Sequence, residues 1–249
     1  MALLTKEERE KRFKYLGLGE YNKDNILKFQ KMAFPKNTKQ QDSVYGTNTD
    51  NALRHFYNVK KCAPSFFPEE FKCECGGKYC TGYPSYMKQV ELKHIQAIRD
   101  HYKKPMKVTC GLRCKTYNSK LSGSITNSLH LVGRATDFYM AGVTDTLANR
   151  KKSIKYIKTL PNHHYTYGNG INSDGYAVYA PYMGNAMHTD VNKAVITKKV
   201  KVTPQDKICT WAKKIAADNT YHYVKYSLGS KAHECPVCHN RAVGSYHGW

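Results

Sequence analysis

The chain reads as an α+β protein, and three observations predict this class. Apolar residues recur at helical spacing through much of the first hundred residues and again after residue 144. Short runs at 106–110, 133–140 and 165–191 alternate or are cut by glycine, as strands and hairpins are. The two kinds of element do not follow the strand–helix–strand order of a parallel sheet.

The elements follow in order. Thr5 and Glu8 form a capping-box pair that opens a short helix. Asn22 or Asp24 caps a second helix, with Ile26, Leu27, Phe29 and Met32 on its apolar face. After a polar loop, Gly46 supplies a turn and Thr49 a cap for a third helix facing inward with Leu53, Phe56 and Tyr57. Residues 63–85 are loop-rich. From 86 to 102, Met87, Val90, Ile95, Ile98 and Tyr102 predict a helix against a core. A strand over 106–110 follows, then one over 133–140 with Gly133, Ala135, Asp137 and Tyr139 on one face. A helix from Thr144 carries Leu147, Ile154 and Ile157, and Tyr165 to Val191 reads as hairpin strands. Thr203, Pro204 and Asp206 open a last helix that buries Ile208, Trp211, Ala212 and Ile215. These elements divide the chain into a helical module (1–62), a central domain (63–200) and a C-terminal segment (201–249).

Composition narrows the function. At 249 residues with 12% aromatics, 20 of them tyrosine, the chain buries a sizeable core and is no disordered tail. No stretch approaches the roughly 20 apolar residues of a membrane span. The first apolar run is too short for a secretory signal. The net charge of +21 is spread evenly: 13 basic against 7 acidic residues in 1–62, 17 against 9 in 63–190, and 10 against 3 in 191–249. Such a coat fits a broad polyanion, such as an anionic cell-wall polymer. Nucleic-acid binders concentrate charge on one arm or face, so a nucleic-acid partner is disfavoured.

Nine cysteines, an odd number, read as reduced thiols rather than a disulfide framework. Cys73, Cys75 and Cys80 have metal-ligand spacing, but no fourth ligand stands nearby in sequence, so structural packing is the favoured reading. Cys235 and Cys238 make half of a zinc ribbon, with His233, His239 and Cys209 available to complete it.

The most informative text is Ser128, His130, Gly133, Ala135 and Asp137, with His188 following 51 residues after Asp137 and Asp190 two further on. Two imidazoles and a carboxylate are the protein ligands of a catalytic zinc, which keeps a fourth position for water. A lone carboxylate in a buried strand is costly, and a metal removes that cost.

These residues carry a resemblance. The pattern Ser-x-His-x-x-Gly-x-Ala-x-Asp followed by His-x-Asp is similar to the zinc D-Ala-D-Ala carboxypeptidase and L-Ala-D-Glu endopeptidase family that hydrolyses peptidoglycan stem peptides. Val108 to Arg113, with Tyr117 and Asn118, corresponds to the text that precedes that pattern, so the resemblance covers about residues 66–192. It implies a hedgehog-type α+β fold, Zn2+ held by His130, Asp137 and His188, and Arg113 and Ser128 lining the substrate cleft. Arg113 would bind an oxyanion or a stem-peptide carboxylate, and Ser128 would either donate to substrate or orient its turn.

Relatives often carry a Glu or His two or three residues before the last metal histidine to accept the water's proton, and here Asn185 and Ala186 stand there. Asp190 is the first substitute and the pair His163 and His164 the second, although Asp190 serves equally as an outer carboxylate orienting His188. Phe29 and Gln30, with Tyr45, Gly46 and Thr49, resemble a peptidoglycan-binding repeat over residues 15–60. The C-terminal segment, closing on Tyr246 and Trp249, resembles the opening of cysteine-peptidase domains of phage wall hydrolases, which makes the chain an expected fragment of a longer polypeptide.

The expected function is a zinc peptidase acting at the bacterial wall, as a phage or prophage lysin or a tail-associated component delivered by lysis or by a particle. The expected partners are peptidoglycan, anionic wall polymers and virion proteins. The alternative is a non-catalytic, metal-stabilised wall-binding protein.

Overall fold

A computed structural model describes residues 2–121 and 124–191, with the backbone of 198–201, 221–224, 232–234 and 241–243. The expected helix around Trp211, the thiols Cys209, Cys235 and Cys238, and the side chains of His233 and His239 lie outside the described residues. The chain groups into two units, Met1–Tyr117 with Leu129–Asn192, and Asn118–Ser128 with Lys193–Trp249.

The first unit opens with α1 (Lys6–Tyr15), α2 (Lys23–Ala33) and α3 (Thr47–Cys62). Thr5 and Glu8 form the capping box of α1, and Asn22 caps α2 by accepting from the Asn25 N–H. Thr49 is not a cap: α3 begins two residues earlier with Gly46 at its N-cap. The Thr49 hydroxyl instead accepts from buried Gln30 at 3.1 Å. The Gln30 amide also donates to Asp42 Oδ1 and the Val44 carbonyl, both at 2.9 Å, and accepts from the Ser43 N–H at 2.8 Å. One side chain thus satisfies the turn between α2 and α3.

Polar residues of α3 fix the next segment. Asn58 donates to the Met87 carbonyl at 2.9 Å. His55 accepts from the Met87 N–H through Nδ1 at 3.3 Å and donates through Nε2 to the Pro68 carbonyl at 2.8 Å. Burial pushes the His55 imidazole down to about 4, so it is neutral and can fill both roles.

Then come α4 (Gln89–Tyr102), β1 (Met106–Cys110), a short α5 (Lys115–Asn118), β2 (Ala135–Met140), α6 (Leu147–Ile157), β3 (His163–Gly168), β4 (Ile171–Asn172) and β5 (Met187–Val191). The strands form one antiparallel sheet in the order β1-β2-β5-β3-β4. This arrangement of helices and antiparallel strands is the α+β class the sequence predicts.

On one sheet face Thr136, Phe138, Met187 and Thr189 are buried, and α4 covers this side with Leu92, Ile95 and Ile98. His94 of α4 bonds Thr189 at 3.0 Å and stacks on His163. Glu91 is also fully buried in α4, and burial pushes its carboxyl well above the ordinary range despite Thr136 beside it. The apolar core runs without a break from Leu4, Phe13, Phe29 and Phe56 to Ile95, Phe138 and Met187. Among the described residues no helix is long and apolar enough to cross a membrane.

The glycine of the histidine motif seats the metal-type segment on this scaffold. Gly133 has φ +67°, and a Cβ there would lie 2.2 Å from the Tyr86 carbonyl oxygen. Its own carbonyl accepts from the Lys88 N–H at 2.8 Å. In the second unit, Asn118 donates to the Ile125 carbonyl at 2.9 Å. There β6 (Lys198–Lys201) pairs with β7 (Tyr221–Val224), and β8 (Ala232–Glu234) with β9 (Arg241–Val243), both antiparallel.

Gly133→Ala is expected to destabilise the protein by about 3 kcal/mol or more, whereas Gly17→Ala costs only about 1 kcal/mol of backbone strain. Gly17 also has positive φ but open space around it. Urea denaturation of the two variants compares them, and equal losses would sink the close-packing argument. For Glu91 the sign runs the other way from an ion-paired acid. Its folded pKa is raised, so its contribution is complete below about pH 4 and is lost as pH rises toward the folded value. Glu91→Gln is therefore expected to raise the melting temperature at neutral pH and to match the parent near pH 4.

Candidate metal centre

Strand register builds the centre. Asp137 of β2 stands directly opposite His188 of β5, and Tyr167 of β3 stands opposite His188 on its other side. In β1 an irregularity between Val108 and Cys110 brings Cys110, rather than Thr109, opposite Asp137. Cys110, Asp137, His188 and Tyr167 therefore form one row across four strands. His130 enters from a 3-10 turn, Leu129–Val132, that precedes β2. His130 Nε2 lies 3.4 Å from Asp137 Oδ1, and His188 Nδ1 lies 2.7 Å from the same oxygen. The three residues singled out as metal ligands are thus adjacent in space.

The far side of each imidazole is held by the protein. His130 Nδ1 donates to the Gly111 carbonyl at 2.8 Å, and His188 Nε2 donates to Asp190 Oδ2 at 3.0 Å. These bonds turn the other nitrogen of each ring toward Asp137, the arrangement expected of metal-binding histidines. Burial disfavours charge on all three groups, but their mutual attraction wins. Cys110 and the Asp137 carboxylate raise His130 well above the ordinary imidazole range. Bonds to Asp137 and Asp190 raise His188, and the two imidazoles hold Asp137 well below the usual carboxylate range. Two ring nitrogens and a carboxylate oxygen meet here, the donor atoms of Cys110, His130 and Asp137 lie within 4.8 Å of one another, and the Arg113 guanidinium shares in balancing the carboxylate.

The other candidates take distinct places. Arg113 Nη2 lies 3.7 Å from Asp137 Oδ2 and donates to Cys110 Sγ at 3.2 Å, while its backbone N–H bonds the His130 carbonyl. Asp190 accepts from His188 on one oxygen and from His164 Nδ1 on the other, at 2.6 Å. Burial opposes its ionisation, yet those two bonds hold it well below the usual carboxylate range. This geometry fits the orienting role. His164 is the extra residue where the register of β3 shifts between His163 and Tyr165, and His163 bonds Thr166 instead. Ser128 is buried in the second unit, where its N–H bonds the Ile125 carbonyl at 3.2 Å.

Sequence reasoning did not single out Cys110, Tyr167 or Glu74. Cys110 Sγ stands 3.6 Å from His130 Nδ1, the nitrogen already committed to Gly111, so it neighbours the ring from behind. The Tyr167 ring lies 5.0 Å from that of His188. Burial raises the Glu74 carboxyl and the field of Arg113 opposes it, with Asp137 and His130 also within electrostatic reach. Only the position of Cys110 at the end of a strand leading to Arg113 was visible beforehand. The reading of the cysteine run also needs correction, because its fourth member exists. Cys114, 41 residues beyond Cys73, brings four sulfurs within 4.8 Å of one another.

A metal held by His130, Asp137 and His188 would have to displace the protons that the raised imidazole values hold. Zinc affinity is therefore expected to rise with pH, by about tenfold per unit for each proton released. Chelator competition at about pH 6 and 7 measures this, and a pH-independent affinity would contradict it. Asp190→Ala removes the acceptor from His188 and is expected to weaken zinc by about 10–100-fold.

No curated protein and no solved structure matches the chain. Residues 64–167 match the family model described as Peptidase M15. The matched stretch runs from the cysteine loop into β3 and holds Arg113, His130 and Asp137, while His188 and Asp190 follow it. The match supports placing this region of the chain in the M15 family of metallopeptidases.

Proposed function

We propose that the chain is a zinc-dependent peptidase that hydrolyses an amide bond in peptidoglycan stem peptides. We place it with the D-Ala-D-Ala carboxypeptidases or L-Ala-D-Glu endopeptidases, acting at the bacterial wall as a phage or prophage lysin or a tail-associated hydrolase. The observation that carries this reading is the convergence of His130 Nε2 and His188 Nδ1 on Asp137 Oδ1, each ring being fixed from behind. Deprotonated imidazole nitrogens and a carboxylate oxygen are donors of the kind zinc takes.

When bound there, zinc supplies Lewis acidity toward a peptide carbonyl and acidifies a water. Arg113 offers a fixed cation for a developing oxyanion or a stem-peptide carboxylate. Asp190 keeps His188 in its metal-facing tautomer. Glu74, exposed and within electrostatic reach of Arg113 and His130, would be a carboxylate for the proton-accepting role that Asn185 and Ala186 leave unfilled. The even basic charge suits anionic wall polymers, and exposed Tyr176, Tyr179 and Tyr182 add aromatic contact surface between β4 and β5. The absence of a proton acceptor at 185 and 186 favours a second reading, a metal-stabilised wall-binding protein without activity.

Incubation with purified peptidoglycan, with chelator and after zinc return, separates the two, new peptide termini being identified by mass spectrometry. Zinc-dependent release that His130→Ala abolishes is the expected result. Wall binding with no released peptide under any metal condition would decide for the second reading. Glu74→Gln is expected to lower kcat about 100-fold or more with zinc content unchanged. Full activity in that variant would remove Glu74 from the mechanism.

A further inference from the structure

We propose that Cys73, Cys75, Cys80 and Cys114 bind a second zinc ion, a structural one, separate from the histidine centre. The four sulfurs lie within 4.8 Å of one another, and Cys75 and Cys80 are 3.5 Å apart. A tetrahedron of zinc–sulfur bonds of 2.3 Å has edges of about 3.8 Å. The cluster needs only a small contraction to meet that geometry.

The surroundings favour thiolates over filler. Cys73, Cys75 and Cys114 are buried, yet they form a cluster of their own with Cys80, Tyr79 and Tyr117, apart from the main apolar core. Thiols used as small hydrophobes join a core, as Cys62 does. Here backbone N–H groups point at sulfur instead: Cys114 to Cys73 at 3.2 Å, Gly82 to Cys80 at 3.4 Å and Tyr117 to Cys114 at 3.4 Å. Amide donors of this kind stabilise negative sulfur and orient metal ligands.

The loop is also folded for the purpose. Gly76, Gly77 and Gly82 have φ of +63°, +86° and +99°, and the Cys73 N–H bonds the Gly82 carbonyl at 2.8 Å. Those turns fold the chain back so that Cys75 and Cys80 face one point. As zinc binds, each protonated thiol releases its proton and four Zn–S bonds form. The resulting net charge of −2 sits among Lys72, Lys78, Arg113 and Lys115, neighbours of the ligands in sequence.

The test uses the full chain and cobalt as a spectroscopic stand-in for zinc. The metal-free protein, reduced and titrated with cobalt, is expected to show an intense thiolate-to-cobalt charge-transfer band. A His130→Ala/His188→Ala variant keeps that band, as does a Cys209→Ser/Cys235→Ser/Cys238→Ser variant, while Cys114→Ser loses it. Elemental analysis should then give one fewer zinc per chain for Cys114→Ser than for the parent. Should Cys114→Ser fail to fold, Cys80→Ser, the least buried residue of the four, replaces it. Absence of the band in the His130→Ala/His188→Ala variant would overturn the proposal. So would disulfides among the four cysteines in the native protein by peptide mapping. Both readouts are independent of peptidase activity, so failure of the proposed function leaves this test unaffected.

Discussion

The register that sets Asp137 opposite His188 is the constraint on which the rest of the centre depends. Side chains alternate across a sheet, so a one-residue slip of β5 against β2 would turn His188 and Asp190 into the helix-covered face and bring Thr189 out. Held as it is, the pairing puts a half-buried carboxylate between two rings, where an unpartnered charge would be costly. Ala135 stands opposite Asp190 and is fully buried. A larger residue there would compete for the space that Asp190 uses to reach His188. Alanine in the motif is thus a volume requirement of the outer carboxylate.

That register is secured from behind and below. On the covered face Thr136 and Thr189 meet Glu91 and His94 of α4, and the threonines Thr166 of β3 and Thr189 of β5 bond each other at 3.0 Å. Below, Gly133 lies against Tyr86 and Met87, whose backbone is in turn gripped by His55 and Asn58 of α3. The helical N-terminal residues therefore share one core with the sheet and hold the segment on which the histidine turn rests. A polar grip of this kind is specific because every group in it is buried and already satisfied.

Much of this was legible in the sequence because it is local or periodic. The capping box at Thr5 is a local signal, the stripe of α4 and the alternation of β2 are periodic ones, and the spacing from His130 to Asp137 is a motif that the family resemblance carries. The contacts that were not legible join residues whose separation no period encodes. Thr49 has the chemistry of a cap, but Gln30 claims its hydroxyl from 19 residues away, and the helix starts earlier. Cys114 is remote from Cys73 in sequence, so a scan for nearby ligands stops short of it. His164 reaches Asp190 only because β3 carries an extra residue, and Cys110 faces Asp137 only because β1 does likewise. Irregular register is set by tertiary packing, and a period-2 pattern carries no mark of it.

The five residues from Cys110 to Cys114 tie these parts together. Beyond β1 this segment has no strand partner to stiffen it, yet it supplies contacts that require placement within a few tenths of an ångström. Cys110 and Gly111 back the His130 ring, Leu112 donates to the Phe71 carbonyl, Arg113 faces Asp137, and Cys114 joins the sulfur cluster. Gly111 packs so tightly on Phe71 that a Cβ would fall 2.7 Å from its backbone. Rigidity here comes from ties at both ends of a short loop: the strand at Cys110 and the cysteines at Cys114. A metal among the sulfurs would clamp the second end next to Arg113 and hold Glu74 between two of its own ligands. On that argument the cysteine cluster fixes the end of the loop that carries Arg113 toward Asp137.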